Sequence, residues 1–356
     1  MSTISIVKKS PNAIHFKINN KKDIFDIALI NGIRRVIIAN LEIYCFSRES
    51  VVFQYNSSIY NEDFLSQRFS LIPLNFRELE KMELDKIEAY LFASNDDPID
   101  FVKVFASDLK IYYGDRDTDV STRKLLDNSK IITHPGILLL ELKPGQKVSV
   151  TMNMMMGTHK EDGSMFSPVS KSIYYFEEDG KALEAALKSV EDDKKEDFRL
   201  LNGEKYYLKN ASGTPAIYNF LLETDNIFPI NEIFERGCNK LKAILESMIN
   251  EIKNIEASTI VAMETSPTNM VGYDFVFEKS DSTLGNLIQT YGLKEKDIHY
   301  LGYNIPHPLD RRLYVRMSLE KENATRGDYE KKIITILVKI VEILDELKKS
   351  YLSALK

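Results

Sequence analysis

Residues 280–288 read SDSTLGNLI, one glycine among hydroxyl, amide and apolar side chains just after an apolar run. The stretch is either a phosphate-cradling loop or the start of a helix, and the two readings give different proteins. A phosphate loop needs several glycines so that backbone N–H groups can close on the anion, and here there is one. Asp281 or Ser282 instead suits a helix N-cap. Leu284, Leu287, Ile288 and Tyr291 then recur at helical spacing as a single apolar stripe. Gly285 and Asn286 fall inside that helix, where each costs about 1 kcal/mol or less relative to alanine. A helix that carries a mid-turn glycine suits close approach to another backbone, so the segment is expected to be a packing helix with Gly285 at a tight helix–helix contact.

Working outward, VGYDFVFE before it and IHYLGYNIPH and LYVRMSLE after it read as strands, and residues 328–351 read as a long helix. In that helix Ile333, Ile336, Leu337, Ile340, Leu344 and Leu347 form a stripe, which Ile334, Val338, Val341 and Ile343 widen beyond one face. A helix this apolar must bury two surfaces, one on its own sheet and one on a partner element. The same order of strand, polar turn and helix occurs in AIHFKINNKKDIFDIALINGIRRVII near the N-terminus, with Asp23 as the expected cap and a helix from Ile24 to about Ile38. LINGI (29–33) aligns with LGNLI (284–288), and residues 229–255 supply a second long apolar helix. The chain therefore reads as two related α/β units, the first interrupted by a large insertion. Two such units can pack through equivalent faces, as in a pseudo-symmetric dimer.

The insertion is rich in strand signals. Leu41 to Tyr55 is β-branched and aromatic, 61–69 suggests a short helix, and IEAYLFA, FVKVFA and LKIYYG are separated by acidic turns. ILLLELKPGQKVSVTMNMMM gives two strands around Lys-Pro-Gly, and GTHKEDGSMFSPVS is a polar loop. Residues 180–199, rich in Ala, Leu, Glu and Lys, are expected to form one solvated helix, 215–223 a strand, and the polar 257–270 a boundary between units.

With 44% hydrophobic and 28% charged residues in 356, the chain has enough apolar surface for two or three folded units. A formal net charge of −6 disfavours broad nucleic-acid binding. The two cysteines, Cys45 and Cys238, preclude a disulfide framework or a four-thiolate zinc site within the chain and are expected to be buried thiols. The first residues lack the apolar core of a signal peptide, and no apolar run approaches the ~20 residues that span a bilayer. A reducing, soluble compartment is expected. P-loop, HExxH and CxxC motifs are absent, and none of the five histidines (His15, His134, His159, His299, His307) forms an i, i+4 helical pair. GDRDTD places Asp115, Asp117 and Asp119 like the opening of a calcium loop, but Val120 and Leu126 stand where such a loop needs Gly and Glu. A solvated acidic turn is expected there.

DSTLGNLI followed by HYLGYNIPHPL and a long C-terminal helix resembles the eleventh subunit of eukaryotic RNA polymerase II and the archaeal L subunit. LINGIRRVIIANLEIYCF, NEDFLSQRFSLIPL, LKPGQKVSV, the loop ending FSPVS and the helix 229–255 resemble the third subunit, the archaeal D subunit and the bacterial alpha N-terminal domain. The joined order is similar to the fused subunit of large DNA viruses that encode their own polymerase. The resemblance implies an α+β fold of two dimerisation units, strands packed on long helices, with an inserted β-rich domain. It divides the chain into 1–45 with 170–256, 46–169, and 257–356. It implies a non-catalytic subunit of a DNA-directed RNA polymerase; several third-subunit relatives carry cysteine clusters for zinc or iron–sulfur, but residues 46–237 here contain no cysteine, so no metal and no cofactor is expected. Its partners would be the largest and second-largest subunits and small polymerase subunits, with DNA reached only through the complex and no membrane. Partner contacts are expected at Arg34, Arg35, Asn61, Glu62, Asp63, Phe64 and Arg68. Dimerisation contacts are expected at Leu29, Asn31, Ile33, Leu284, Gly285, Asn286, Leu287, Ile288, Ile336, Ile340 and Leu344. The place of work would be a cytoplasmic viral factory or the nucleus, with packaging in virions left open. The competing reading is a stand-alone dimeric adaptor outside a polymerase.

Overall fold

The structure, a computed structural model, describes residues 3–265, 271–307, 309, 311–321 and 323–356. The expected PHPL turn and the end of the polar stretch 257–270 therefore lie partly outside the described residues.

Along the chain come β1 (Ile4–Lys9), β2 (Ala13–Asn19), α1 (Ile27–Ala39), β3 (Glu42–Phe46), β4 (Val52–Asn56), α2 (Glu62–Ser70), α3 (Phe76–Leu79), β5 (Ile87–Ser94), β6 (Val102–Phe105) and β7 (Lys110–Tyr113). Next are β8 (Lys124–Leu125), α4 (Asn128–Ile131), β9 (Leu138–Leu142), β10 (Lys147–Thr158), β11 (Lys171–Phe176), α5 (Gly180–Leu187), α6 (Lys195–Asn202), β12 (Ile217–Glu223) and α7 (Ile230–Lys253). The last are β13 (Val261–Thr265), β14 (Tyr273–Glu278), α8 (Ser282–Gly292), β15 (Ile298–Asn304), β16 (Arg312–Leu319) and α9 (Arg326–Leu355). The protein is a mixed α+β fold with several antiparallel sheets.

Two of those sheets share one plan. The first runs β1-β2-β12-β11, with α1 after β2 and α7 after β12. The second runs β13-β14-β16-β15, with α8 after β14 and α9 after β16. Chain order, strand order and helix placement therefore match element by element. Alternation explains how each sheet gains an inner face: Ile14, Phe16 and Ile18 of β2 are fully buried while His15 and Lys17 point outward. Phe16 stacks on Phe220 at 5.4 Å and meets Phe234 edge-on at 5.0 Å, so β2, β12 and α7 share one aromatic core. Tyr351 of α9 enters the same core, 5.1 Å from Phe16 and 4.8 Å from Phe234. The C-terminal helix thus buries one stripe, from Tyr329 to Tyr351, and places its far end in the core of the other unit; of the residues that widen the stripe, Ile334, Val341 and Ile343 are half-buried and Val338 is exposed.

Between β2 and β11 lies a sheet ordered β3-β10-β5-β7-β8, with β4 also paired to β10, and a separate β6-β9 ribbon. Residue 45, the last before the expected division, sits within β3, which hydrogen-bonds to β10. The Lys143-Pro144-Gly145 turn has the type II pattern. Gln146 N–H donates to the Lys143 carbonyl at 3.0 Å and Gly145 sits at φ 77°, where a side chain is disfavoured. Its two strands pair with different partners, β9 with β6 and β10 with β3, β4 and β5, so the chain changes sheets there.

Several local expectations are corrected. The first helix is capped by Asp26, whose side chain accepts from the Ala28 N–H. Asp23 instead takes φ 55° and accepts from the Thr214 hydroxyl at 2.7 Å. Residues 180–199 do not form one helix. α5 ends after Leu187, the Ser189 hydroxyl donates to the Ala186 carbonyl at 2.7 Å, and α6 starts only at Lys195. The intervening run Glu191-Asp192-Asp193 is better solvated in a turn than stacked on a helix, and the Leu183/Leu187 stripe has no continuation across it. The polar stretch from 257 contains a strand, β13, along β14. β1 and β11 likewise have no counterpart among the strands read from sequence. All three are edge strands that bury a single residue each, Ile4, Ser172 and Val261, which leaves no apolar alternation to read.

Candidate assembly interface

The two similar units meet through their helices, α1 against α8 and α7 against α9. Both pairs are antiparallel. Asp26 N–H at the start of α1 donates to the Tyr291 hydroxyl near the end of α8 at 3.3 Å, and Lys294 lies 3.0 Å from the Asp26 carboxylate. At the other end Arg35 Nε donates to Thr283 Oγ1 at 2.7 Å. Midway, a Cβ added to Gly32 would sit 3.3 Å from Leu287 Cδ1. In the second pair, Lys242 binds Asp345 at 2.6 Å and Lys348 donates to Asn239 at 3.0 Å.

The N-caps give the correspondence between units. Asp26 and Asp281 each accept from the N–H two residues on, which makes Leu29 equivalent to Leu284, Asn31 to Asn286 and Gly32 to Leu287. Gly32 and Leu287 are therefore equivalent positions that also touch. Only residues beside a two-fold axis meet their own equivalents, so the pseudo-axis passes between them. The pair is asymmetric, a hole facing a knob.

Gly285 is placed differently from expectation. Its absent side chain faces its own sheet, where a Cβ would fall 2.5 Å from Tyr303 Cδ2 and 2.8 Å from Leu313 Cδ1. The close helix–helix approach is made by Gly32, which the LINGI motif contained but which its alignment with a leucine disguised. Leu29, Ile33, Leu284, Leu287, Ile288, Ile336, Ile340 and Leu344 are all buried in the shared apolar core. Asn31 and Asn286 sit half-exposed and bond within their own helices, Asn31 accepting from Arg34 Nε at 2.9 Å and Asn286 from the Thr290 hydroxyl at 3.4 Å.

Polar groups frame the seam. Asp281 lies 3.4 Å from Lys160, which comes from the polar loop after β10. The Lys160 N–H also donates to the Ala39 carbonyl at 3.1 Å, so this loop straps the end of α1 to the start of α8. Burial pushes the Asp281 carboxyl up, but the Thr283 hydrogen bonds and the Lys160 and Arg35 charges bring it below the usual range. Burial acts likewise on Asp345, and Lys242 and Lys348 outweigh it. Neither Lys160 nor the Lys242–Asp345 pair carries a local sequence signal, because each depends on how distant segments meet.

The expected partner-facing residues divide. Arg35 is engaged inside the chain at Thr283, and Arg34 is half-buried and bonded to Asn31. Asn61 caps α2, accepting from the Asp63 N–H at 2.8 Å. Glu62 and Asp63 are exposed, and Phe64 is 45% exposed with Tyr60 stacked on it at 5.8 Å. Arg68 turns back over the Phe64 ring at 5.6 Å and donates to the Leu138 carbonyl, tying α2 to β9. The outward surface of α2 is thus Tyr60, Glu62, Asp63 and Phe64. The carboxylates of GDRDTD are used locally, Asp115 and Asp119 each accepting from the backbone of their own turn.

Comparison with known proteins bears on this seam directly. Residues 273–350, which hold α8 and most of α9, match the RNA polymerase Rpb3/Rpb11 dimerisation domain. The chain is similar to RNA polymerase third subunits. It is 27% identical over 188 residues to DNA-directed RNA polymerases IV and V subunit 3B of Arabidopsis thaliana, covering 48% of this chain and 57% of that protein. It is 24% identical over 284 residues to DNA-directed RNA polymerase subunit Rpo3 of Pyrococcus horikoshii, covering 72% of this chain and 99% of that one. With DNA-directed RNA polymerases I and III subunit RPAC1 of Mus musculus it shares 27% over 171 residues, 42% of this chain and 48% of the relative. The third-subunit-like chain thus spans little more than half the length of the first of these relatives. Its dimerisation-domain match falls on the second of the two similar units, at the helices that meet α1 and α7.

Proposed function

We propose that this chain is a non-catalytic assembly platform of a DNA-directed RNA polymerase. Its two similar units, 1–45 with 170–256 and 257–356, act as the two halves of a dimerisation pair joined in one polypeptide, and 46–169 is an inserted β-rich domain. The pair is an intramolecular pseudo-heterodimer on which the largest and second-largest subunits gather, with small subunits around them. The observation that carries the reading is the antiparallel α1/α8 and α7/α9 packing of two units with the same strand order, at the place where the dimerisation-domain family matches. The hole-and-knob contact of Gly32 with Leu287 supports specialisation of the halves for each other. The exposed α2 surface around Phe64 is the partner-facing element of this proposal, while Arg35 bonds Thr283 through Nε within the chain. The fused order of the halves is also the sole ground for a viral setting and for a cytoplasmic factory or nucleus as the place of work. Affinity capture of the tagged chain from its native cells, followed by mass spectrometry, tests the role. Recovery of both large polymerase subunits is expected, and a monomer or homodimer without them refutes it.

A further inference from the structure

A cavity lies away from the seam, on the outward face of the first sheet. The alternation of β2 points His15 and Lys17 there, and Asn219 of β12 stands between them and Glu177 just beyond β11. These side chains form an open chain of bonds from His15 to Lys17. His15 Nε2 is 3.0 Å from Asn219 Oδ1, Asn219 Nδ2 donates to Glu177 at 2.8 Å, and Lys17 donates to Glu177 at 2.9 Å. Asn219 is 2% exposed although it lies on the outer side of the sheet. Residues 203–207, returning after α6, supply the opposing wall. They are held by Leu208 N–H to the Glu177 carbonyl at 2.8 Å and Asp179 N–H to the Tyr206 carbonyl at 2.9 Å. The open cleft between this wall and the sheet is about 760 Å³, within the size range of ligand sites.

Its lining has one chemistry. Tyr175, Tyr206 and Tyr207 present rings, and Glu177, Glu178 and Glu204 present carboxylates against the single cation Lys17. Rings beside carboxylates select cations. The chain itself uses this affinity: Lys17 pairs with Glu177, and Lys209 lies 5.4 Å from the Tyr207 ring centre. An anionic phosphate or nucleotide would face the carboxylates with one already paired lysine to receive it. The segment 177–207 that builds the wall has ten acidic and six basic residues, so the surrounding field has the same sign. We propose that this cleft docks a lysine- or arginine-bearing peptide segment of a protein partner, with Glu177 and the tyrosines receiving the cation that Lys17 now supplies. The inference does not depend on the polymerase reading.

The competition by Lys17 makes the test directional. Fluorescein-labelled tetralysine and tetraarginine peptides, titrated into the full chain by anisotropy, are expected to bind, with tetraglutamate and ATP as counter-probes. Lys17→Met should tighten the basic peptides about fivefold, by freeing a carboxylate from an exposed pair. Lys103→Met, the same charge change on β6, should leave them unchanged. Glu178→Gln with Glu204→Gln, and separately Tyr207→Ala, should each weaken binding about fivefold or more while circular dichroism melts report the fold. The proposal is overturned if wild type fails to bind the basic peptides. It is equally overturned if Lys17→Met has no effect or weakens binding, if Lys103→Met tightens as much, or if tetraglutamate or ATP binds as well as the basic probes.

Discussion

The contact of Gly32 with Leu287 makes the sharpest prediction, because equivalence and contact coincide there. A Cβ on residue 32 would lie 3.3 Å from Leu287 Cδ1, already tight, and Leu287 is fully buried. Gly32→Leu adds three further carbons where there is no room. Overpacking costs about 1–3 kcal/mol, offset by about 1 kcal/mol of helix propensity gained. Leu287→Ala removes the knob and costs about 2–5 kcal/mol as a buried truncation. Combined, the new leucine fills the space the old one left. The double variant should therefore be more stable than the sum of the singles by at least about 1.5 kcal/mol, well above the ~0.5 kcal/mol scatter of independent sites. Urea unfolding of the four proteins, followed by circular dichroism with a common m-value, measures this coupling. Additivity within that scatter would mean that the two positions do not meet, and the pseudo-axis would be misplaced.

Other outcomes follow from the same packing. Tyr351 is fully buried with its hydroxyl unpaired, so Tyr351→Phe should raise stability by about 1 kcal/mol; a lowered melting temperature would show a hidden partner. Asp281 and Asp345 are held below the ordinary carboxylate range. Their folded values lie under the unfolded one of about 3.9, so their contribution is present above about pH 4 and is lost as pH falls through the depressed values. Asp281→Asn should flatten the acid limb of a stability-against-pH curve relative to wild type, and an unchanged limb would contradict the Lys160 strap. Phe64→Ala, at an exposed position, should leave the urea midpoint nearly unchanged while reducing capture of the large polymerase subunits; unaltered capture would remove α2 from the partner surface.

Much of this is legible in the sequence, and the exceptions share a cause. Helices and central strands show because their burial is one-sided and periodic: Leu284, Leu287, Ile288 and Tyr291 give α8, and of the two expected caps, Asp281 and Ser282, Asp281 is the observed one. The broad apolar surface of α9 signals a second partner, and Tyr351 in the first unit's core is that partner contact. Edge strands β1, β11 and β13 escape because each buries only one residue, too few for an alternating pattern. Gly285 shows that a mid-helix glycine announces a close neighbour without saying which: the neighbour is Tyr303 of its own sheet, and the approach between α1 and α8 belongs to Gly32. Arg35 shows the same limit for charge. A cation amid apolar residues needs an acceptor, but Thr283 lies 248 positions away, and only the folded chain shows that the acceptor is internal.

The central claim is that one chain supplies both halves of the dimerisation pair in a polymerase. Native mass spectrometry of the complex captured through this chain tests it most directly. The account predicts one copy of this chain with both large subunits and no separate eleventh-subunit-like chain. Two copies of this chain, or a distinct small dimerisation subunit alongside it, would contradict it.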